Sequence, residues 1–254
     1  MLIDTHCHLD GLSKEELAEV IAKAKAVGVE KMVTIAAERK EFELAQKIAE
    51  ENEELYFAIG IHPEALEQDL EQVYSDLISF SKHPKCIGIG ESGLDYSYKD
   101  ICSKSQKENF IQHIKASEET GLPLIVHNRD SDDDMMAIMD EYHTGKSKVI
   151  IHCFSAGMEL ANWAIAKGYY ISISGIVTFK NGSNVRDAVC ACPIEQLMVE
   201  TDAPYLAPEP YRGKKCEPAH VRYTFQKVAQ LKDVSESELE KQLEQNFKDC
   251  FKRL

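Results

Sequence analysis

This sequence of 254 residues is short of several features, and each shortage excludes a class of protein. It has no apolar run long enough to cross a bilayer, and its N-terminus has no basic stretch followed by a long apolar one, so we expect neither a membrane span nor a signal peptide. Glycine and proline are sparse, at 13 and 8 residues, and no low-complexity run or linker is evident. We therefore predict a single globular domain over residues 1–254.

Closely paired cysteines are also missing. The chain has eight cysteines but no C-x-x-C pair. In a chain without an export signal this pattern is typical of reduced, mostly buried thiols. The cysteine usage therefore predicts a cytoplasmic protein.

Positive charge is the third shortage. Lysine and arginine together number 29 against 43 acidic residues, which gives a formal net charge of −14. Broad electrostatic adhesion to nucleic acid is disfavoured, because such binding needs a cationic face. An enzyme that acts on nucleic acid is not excluded, because a divalent metal ion supplies positive charge locally.

What the sequence does contain is a regular alternation of short apolar runs and longer amphipathic stretches. The first helix is signalled by Ser13 and Glu16, which are spaced as in a capping box. Further helical patterns follow over residues 38–51, 70–81, 104–120, 135–142, 158–166, 185–191, 218–231 and 235–252. The predicted strands are Leu2–His6, Lys31–Ala36, Leu55–Ile61, Cys86–Ile89, Leu124–His127, Lys148–His152, Tyr169–Ile173 and Leu197–Glu200.

Short strands that are apolar throughout are typical of a parallel sheet covered on both faces. Eight strands, each followed by a helix, predict an α/β fold of the (β/α)8 TIM-barrel type, in which metal-dependent hydrolases are common. An open, doubly wound sheet is the alternative. The strand count and the absence of a glycine-rich phosphate loop after the first strand favour the barrel.

The most informative motif is the pair His6 and His8 at the end of the first apolar run. Residues i and i+2 of a strand point to the same face, so the two imidazoles converge. Neutral imidazole is a common ligand of zinc and similar divalent ions. The chain therefore opens with half of a metal site.

Other predicted strands also end in residues of the metal-binding type. In a barrel the strand ends and the loops that follow them form the active-site face. Six candidate ligands exceed what one tetrahedral ion needs and suit two divalent ions (zinc, magnesium or manganese) that share a bridging carboxylate, for which Glu91 is the best candidate. The predicted metal ligands are His6, His8, Glu91, His127, His152 and Asp202.

The same residues suggest a mechanism in which a metal-bound hydroxide attacks a scissile phosphorus. We predict catalytic roles for Glu91, for Asp202, which is placed to take the proton from the water, and for His62, which is placed to contact a phosphate or help the leaving oxygen. Arg129 is a candidate phosphate contact, with an ion pair to Asp130 as the alternative. The predicted substrate-binding residues are Asn128, Arg129 and Lys180. Tyr96 and Tyr205 are candidates for stacking on bases or for packing at the rim.

With these residues in view, the chain resembles the TatD family of metal-dependent hydrolases, the TatD-related deoxyribonucleases. The resemblance covers essentially the whole chain and implies a TIM barrel that acts as a phosphodiesterase on DNA, often as a 3′-to-5′ exonuclease on single strands. It further implies that His6, His8, Glu91 and Asp202 hold one ion and that Glu91, His127 and His152 hold the second. The matching segments are DTHCHLD from Asp4, GIHP from Gly60, GIGESGLDY from Gly88, HNRD from His127, HCFS from His152 and ETDAPYL from Glu200.

Two positions depart from the pattern of this family. Cys216 stands where the family often has asparagine, and Glu64 stands where it often has a second histidine. Neither is a proposed ligand, but both would alter how a substrate sits at the rim. An acidic residue at position 64 makes the approach of phosphate on that side less favourable.

Two other functions remain open at this point. The same ligand set suits a metal-dependent ester or amide hydrolase, such as a D-aminoacyl-tRNA deacylase. A non-catalytic barrel that retains metal is disfavoured because no proposed ligand is missing. For the nuclease we expect DNA, or another phosphodiester, as a weak and transient partner, with no membrane association and no evident obligate protein partner.

Overall fold

The eight predicted strands are all present in the computed structural model, which describes residues 1–253. They follow one another in the sheet in chain order, from the first to the eighth, as expected for a (β/α)8 barrel. The strands are β1 (Leu2–Cys7), β2 (Val29–Ala36), β3 (Leu55–Ile59), β4 (Cys86–Asp95), β5 (Leu124–Arg129), β6 (Val149–Ile151), β7 (Tyr170–Ile173) and β8 (Leu197–Val199).

The helices also lie where the periodicity predicts them. The capping box of the first helix is formed, since Ser13 Oγ accepts from the Glu16 amide at 3.2 Å and Glu16 Oε2 accepts from the Ser13 amide at 2.8 Å. No helix among residues 1–253 is both long and apolar enough to cross a membrane. The α-helices are α1 (Lys14–Ala26), α2 (Phe42–Glu51), α3 (Leu70–Phe80), α4 (Ser103–Thr120), α5 (Asp132–Tyr142), α6 (Met158–Ala166), α7 (Ser183–Ala191), α8 (Val221–Lys232) and α9 (Glu236–Cys250).

The described residues group into two compact units. The first unit comprises Met1–Thr34 and Cys153–Asp249, and the second comprises Ile35–His152 with the C-terminal residues from Cys250. In the first unit β1 pairs in parallel with β2, and β7 with β8. In the second unit β3, β4, β5 and β6 pair in parallel in that order. The single domain expected over residues 1–254 stays a prediction.

Strand β4 differs most from its prediction. The predicted end at Ile89 was wrong, because the strand continues through Glu91 to Asp95. Its register against β5 shifts between Ile89 and Ser92, which places Glu91 at an irregularity of the ladder. Irregularities of this kind re-aim side chains and are frequent beside active sites.

Two glycines, Gly60 after β3 and Gly93 in β4, allow backbone segments to approach closely. A Cβ atom on Gly60 would lie 2.4 Å from the carbonyl oxygen of Glu91, and one on Gly93 would lie 1.9 Å from the carbonyl oxygen of His127. Both distances are far below van der Waals contact. The backbones that carry Glu91 and His127 therefore reach their positions only because these two residues lack side chains.

Side chains of helix α4 form hydrogen bonds with the backbone just after β3. The buried His113 Nε2 accepts from the Ile61 amide at 2.9 Å, and Asn109 Nδ2 donates to the Ile61 carbonyl at 3.0 Å. Because Nε2 is an acceptor, His113 carries its proton on Nδ1, which lies 2.9 Å from the Asn109 carbonyl. The two side chains thus hold both polar groups of the residue before His62.

This buried histidine should make stability depend on pH. Burial lowers the pKa of His113 from 6.5 to about 4. Between these values the unfolded chain binds a proton that the folded chain does not, so stability is complete above pH 6.5 and falls as the pH drops towards 4. We expect a contribution of roughly 3 kcal/mol to be lost over this range. Urea unfolding of the wild type and of His113→Gln at several pH values from 4 to 7.5 measures this change in the free energy of unfolding.

Glutamine can still accept from the Ile61 amide but cannot be protonated in this range. The free energy of unfolding of His113→Gln should therefore change less with pH than that of the wild type. Equal pH dependences of the two proteins would contradict the role assigned to His113. The difference between the two free energies of unfolding at pH 7.5 gives the effect of the substitution apart from protonation.

Candidate metal centre

The second unit brings three of the six predicted ligands into one cluster. Glu91 Oε2 lies 2.8 Å from His152 Nε2 and 3.4 Å from His127 Nδ1, and the two imidazole nitrogens are 3.3 Å apart. The Glu91 and His152 side chains are almost fully buried. The predicted role of Glu91 as a carboxylate that bridges two metal ions stays a prediction.

Asp95 is a site residue that the sequence reasoning missed. Its Oδ2 lies 3.1 Å from His127 Nε2. With Nε2 donating to Asp95, Nδ1 faces Glu91 and is the nitrogen that would coordinate a metal ion. Metal-binding histidines are commonly oriented by a carboxylate in this way. The misplaced end of β4 hid the residue, because Asp95 was assigned to a loop rather than to a strand beside β5.

The Asp95 carboxylate is itself fixed by several donors. Its Oδ1 accepts from both the amide and the hydroxyl of Ser97, and its backbone is held on both sides by the Gln106 side chain. Burial acts to raise the pKa of Asp95, but hydrogen bonds from His127 and Ser97 outweigh it and lower the pKa to about 2. Asp95 therefore remains an anion at physiological pH.

The charge on Asp95 affects His127 in turn. Burial acts to lower the pKa of His127, but hydrogen bonds to Asp95 and Glu91 raise it above its ordinary value. A proton on Nδ1 of His127 and a metal ion bound to that nitrogen would exclude each other. Metal binding at such a site is expected to displace that proton.

His62 lies at the edge of the same cluster. Its ring contacts the His127 ring edge-on at a centroid distance of 4.5 Å. Burial lowers the pKa of His62 to about 4, so the imidazole is neutral near pH 7. Its Nδ1 accepts from the Glu64 amide at 3.1 Å, and the proton therefore lies on Nε2. His62 is thus a hydrogen-bond donor at Nε2.

The first unit brings together the other three predicted ligands. Asp202 Oδ1 lies 3.5 Å from His8 Nε2 and 3.7 Å from His6 Nε2. The backbones are joined as well, because the Asp202 amide donates to the His6 carbonyl at 2.9 Å and the His8 amide donates to the Ala203 carbonyl at 2.7 Å. The end of β1 is therefore tied to the loop that follows β8.

A buried polar contact supports this second group of ligands. Asp4 is fully buried and accepts from both the amide and the hydroxyl of Thr201, at 2.8 and 2.6 Å. Burial raises the pKa of Asp4 to about 8, against the opposing effect of these hydrogen bonds. Asp4 thus fixes the residue before Asp202 and is a structural residue rather than a ligand.

The donor atoms fit a divalent cation. Glu91, His127 and His152 each offer one ligand atom, and these atoms lie within 4.8 Å of one another. Imidazole nitrogen and carboxylate oxygen are the usual ligands of zinc and manganese sites. His62, Asp95 and His127 form a further group that meets the same distance criterion.

The three predicted substrate-binding residues lie in different settings. The Asn128 amide is engaged at the start of α5, where it donates to Asp132 at 2.7 Å and accepts from Ser131 at 2.8 Å. Arg129 and Lys180 are exposed. Among residues 1–253, no ion pair joins Arg129 to Asp130. Their contacts with substrate stay predictions.

The two departures from the expected pattern also have clear surroundings. Glu64 accepts from the Tyr98 hydroxyl at 2.9 Å, and Tyr98 in turn contacts the His62 ring edge-on. Cys216 is buried, and its amide donates to the Pro204 carbonyl at 3.0 Å.

Comparison with known proteins places the chain in a family. The model of the family described as TatD related DNase matches residues 3–252. The uncharacterized metal-dependent hydrolase YcfH of Escherichia coli K12 is 39% identical over 254 residues, covering 98% of this chain and 95% of that protein. A protein of Shigella flexneri named 3′-5′ ssDNA/RNA exonuclease TatD is 27% identical over 238 residues, covering 92% of each.

A solved structure confirms the fold class. The crystal structure of YJJV, a TatD homologue from Escherichia coli K12, matches with a TM-score of 0.92 at 27% identity and covers 99% of this chain and 98% of that one. The predicted TIM barrel is therefore confirmed. This chain belongs to the TatD-related DNase family and is a metal-dependent hydrolase that uses divalent metal.

Proposed function

We propose that this protein is a phosphodiesterase that removes nucleotides from the 3′ end of single-stranded DNA. The observation that carries the proposal is the convergence of Glu91, His127 and His152 donor atoms beside the neutral imidazole of His62. The name of the relative from Shigella flexneri supports both the substrate and the direction of cleavage. The cytoplasmic location stays a prediction from cysteine usage.

We further propose that two divalent ions serve the site. His6, His8, Glu91 and Asp202 would hold one ion, and Glu91, His127 and His152 would hold the second. The proposal is supported by the match of residues 3–252 to the TatD-related DNase family and by the grouping of three predicted ligands within each unit. The chemistry that divalent ions supply in such sites is Lewis acidity towards water and phosphoryl oxygens.

The side chains of the protein supply the remaining steps. Asp202 accepts a proton from the attacking water. His62 donates its Nε2 proton in a hydrogen bond to a phosphoryl or leaving oxygen, a role that its neutral state and its contact with the Glu64 amide support. A donor aimed at developing negative charge lowers the barrier because it needs no reorganisation during the reaction.

Exposed cationic side chains contact the phosphates of the bound DNA strand. Arg129 follows His127 by two residues at the end of β5, and we propose that its guanidinium contacts a phosphate. Lys180 is the corresponding candidate in the first unit. Against a net charge of −14 these contacts give weak and transient binding of DNA.

A panel of substrates tests the proposal. Protein purified without added metal should contain a divalent ion by elemental analysis, and its activity should disappear on chelation and return with manganese, zinc or magnesium. We expect 5′-labelled single-stranded DNA to be shortened stepwise from its 3′ end, while a D-aminoacyl-tRNA ester remains intact.

Cleavage of the ester with DNA left intact under every ion would overturn the nuclease proposal in favour of a deacylase. Metal-loaded protein that cleaves neither substrate would point instead to a binding barrel. A 3′-blocked oligonucleotide is the matched control, because an exonuclease with this direction should not shorten it.

A further inference from the structure

The first unit contains a cavity that the proposed chemistry does not use. It has a volume of about 440 Å³ and opens beside His8, between the loop after β1 and the loop after β8. This volume lies within the usual range of small-molecule sites. The cavity is therefore large enough for one part of a substrate whose reacting group lies near His8.

The cavity has an apolar floor. Leu9, Val20, Cys216 and Pro218 line it and are buried. Burial raises the pKa of the Cys216 thiol well above its ordinary value, so the thiol is neutral and adds to the apolar surface. A floor of this kind suits a flat, weakly polar ligand group.

An exposed aromatic ring stands at the mouth of the cavity. Tyr205 lines it and is 62% exposed, the highest value among the exposed large hydrophobic side chains of residues 1–253. The Tyr205 ring contacts the His8 ring edge-on at a centroid distance of 6.2 Å. Its backbone is fixed, because the Tyr205 amide donates to the Asp202 carbonyl at 2.9 Å. A large ring is thus held in solvent beside a predicted ligand.

The charges around the rim indicate which part of a nucleotide enters. Four carboxylates line the cavity, against the two cations Lys23 and Lys215. Lys23 is already paired with Glu19 and Glu217, at 2.9 and 3.1 Å. An acidic rim repels phosphate, so the group that enters is a base. The carboxylates belong to Asp10, Glu16, Glu19 and Glu217.

The loop after β8, part of which lines the cavity, carries several cations. Arg212, Lys214 and Lys215 are exposed on the loop after β8, and Lys215 reaches the lining. Arg212 lies over the Phe179 ring at 3.8 Å, which holds this part of the loop in place. A phosphate at this loop and a base in the cavity would match the two ends of one nucleotide.

We propose that this cavity is a base-binding subsite, in which Tyr205 stacks on the base of a nucleotide that flanks the scissile phosphate. The inference rests on the proposed nuclease function. Stacking on an aromatic side chain tolerates every base, so the subsite would favour single strands with unpaired ends over duplexes without selecting a sequence.

A fluorescent base tests the proposal directly. A pentanucleotide with 2-aminopurine at its 3′ end and hydrolysis-resistant phosphorothioate linkages is titrated with the protein as purified. We expect quenching with the wild type and with Tyr205→Phe, which keeps the ring, and little quenching with Tyr205→Leu. Tyr142→Leu, which removes a tyrosine on α5, is the matched control and should quench like the wild type.

Hydrolysis provides the second measurement. For an oligonucleotide with a normal 3′ end, Tyr205→Leu should raise KM by about 5- to 150-fold, the range that follows from the loss of one base–aromatic stack. For an oligonucleotide that ends in an abasic residue, the KM values of the two proteins should be similar. A change in KM for the normal oligonucleotide but not for the abasic one would show that Tyr205→Leu removes base stacking and does not disturb the fold.

The outcomes separate this inference from the proposed function. Wild-type protein that cleaves DNA while Tyr205→Leu behaves identically in both measurements would overturn the base subsite and leave the nuclease proposal intact. Wild-type protein that cleaves no oligonucleotide would overturn the nuclease proposal. Quenching that is equal in the wild type and Tyr205→Leu would show that the base binds elsewhere.

Discussion

Replacing Glu91 with glutamine should lower kcat/KM for oligonucleotide hydrolysis by at least roughly 10³-fold while the protein stays folded. Glu91 is only 4% exposed, and its Oε2 lies 2.8 Å from His152 and 3.4 Å from His127. Glutamine keeps the size of the side chain but removes the negative charge that a bridging ligand supplies. The metal content per protein molecule, measured by elemental analysis, should fall together with the activity.

The pKa of His127 provides a second measurement. Because Glu91 raises the pKa of His127, its replacement should lower that pKa, which NMR titration of metal-free protein can measure. Glu108→Gln, at an exposed position on α4, is the matched control and should leave activity and metal content unchanged. Full activity of Glu91→Gln with its metal retained would disprove the bridging role.

Replacing Asp95 with asparagine should lower metal affinity or activity by about 10- to 100-fold. The Asp95 carboxylate accepts from His127 on one oxygen and from Ser97 on the other. An asparagine amide has only one acceptor atom, so its NH2 group must face one of these donors. Either His127 loses its orienting partner or the side chain turns away from Ser97.

Titration of metal-free protein with manganese or zinc measures the metal affinity of Asp95→Asn. Kinetics at saturating metal measure the activity of the variant when its site is filled. Since Asp95 positions His127 and does not touch the substrate, KM at saturating metal should change little. Asp134→Asn is the matched control, because Asp134 pairs with Lys107 on the surface of the same unit. Metal affinity that stays at the wild-type value in Asp95→Asn would contradict the positioning role.

The periodicity of the sequence predicted the order of the elements well, because every strand contains buried apolar residues and each helix has a buried apolar stripe. Helix α6 was predicted at its observed bounds, and the capping box at Ser13 formed as expected. Histidine and carboxylate residues at strand ends were the signal for the six predicted ligands, because strand ends form the active-site face of a barrel. Their role as ligands stays a prediction.

The sequence did not predict which residues form hydrogen bonds with the predicted ligands and with the residues next to them. The roles of Asp95 and of the Asn109 and His113 pair depend on contacts between elements that are distant in sequence. The hydrogen bond from the Asn128 amide to Asp132 at the start of α5 could not be read from the sequence, and the predicted contact of Asn128 with substrate stays a prediction. A local pattern signals a polar residue at a strand end, but only packing decides whether it faces a ligand or a neighbouring helix.

The two glycines at close approach have a consequence for protein engineering. Any side chain at Gly60 or Gly93 would meet backbone carbonyl oxygens that cannot move aside without carrying Glu91 or His127 with them. Libraries that aim to change substrate range should therefore keep these positions fixed and randomise the loop from Tyr205 to Lys215, whose exposed residues can vary without displacing the ligands.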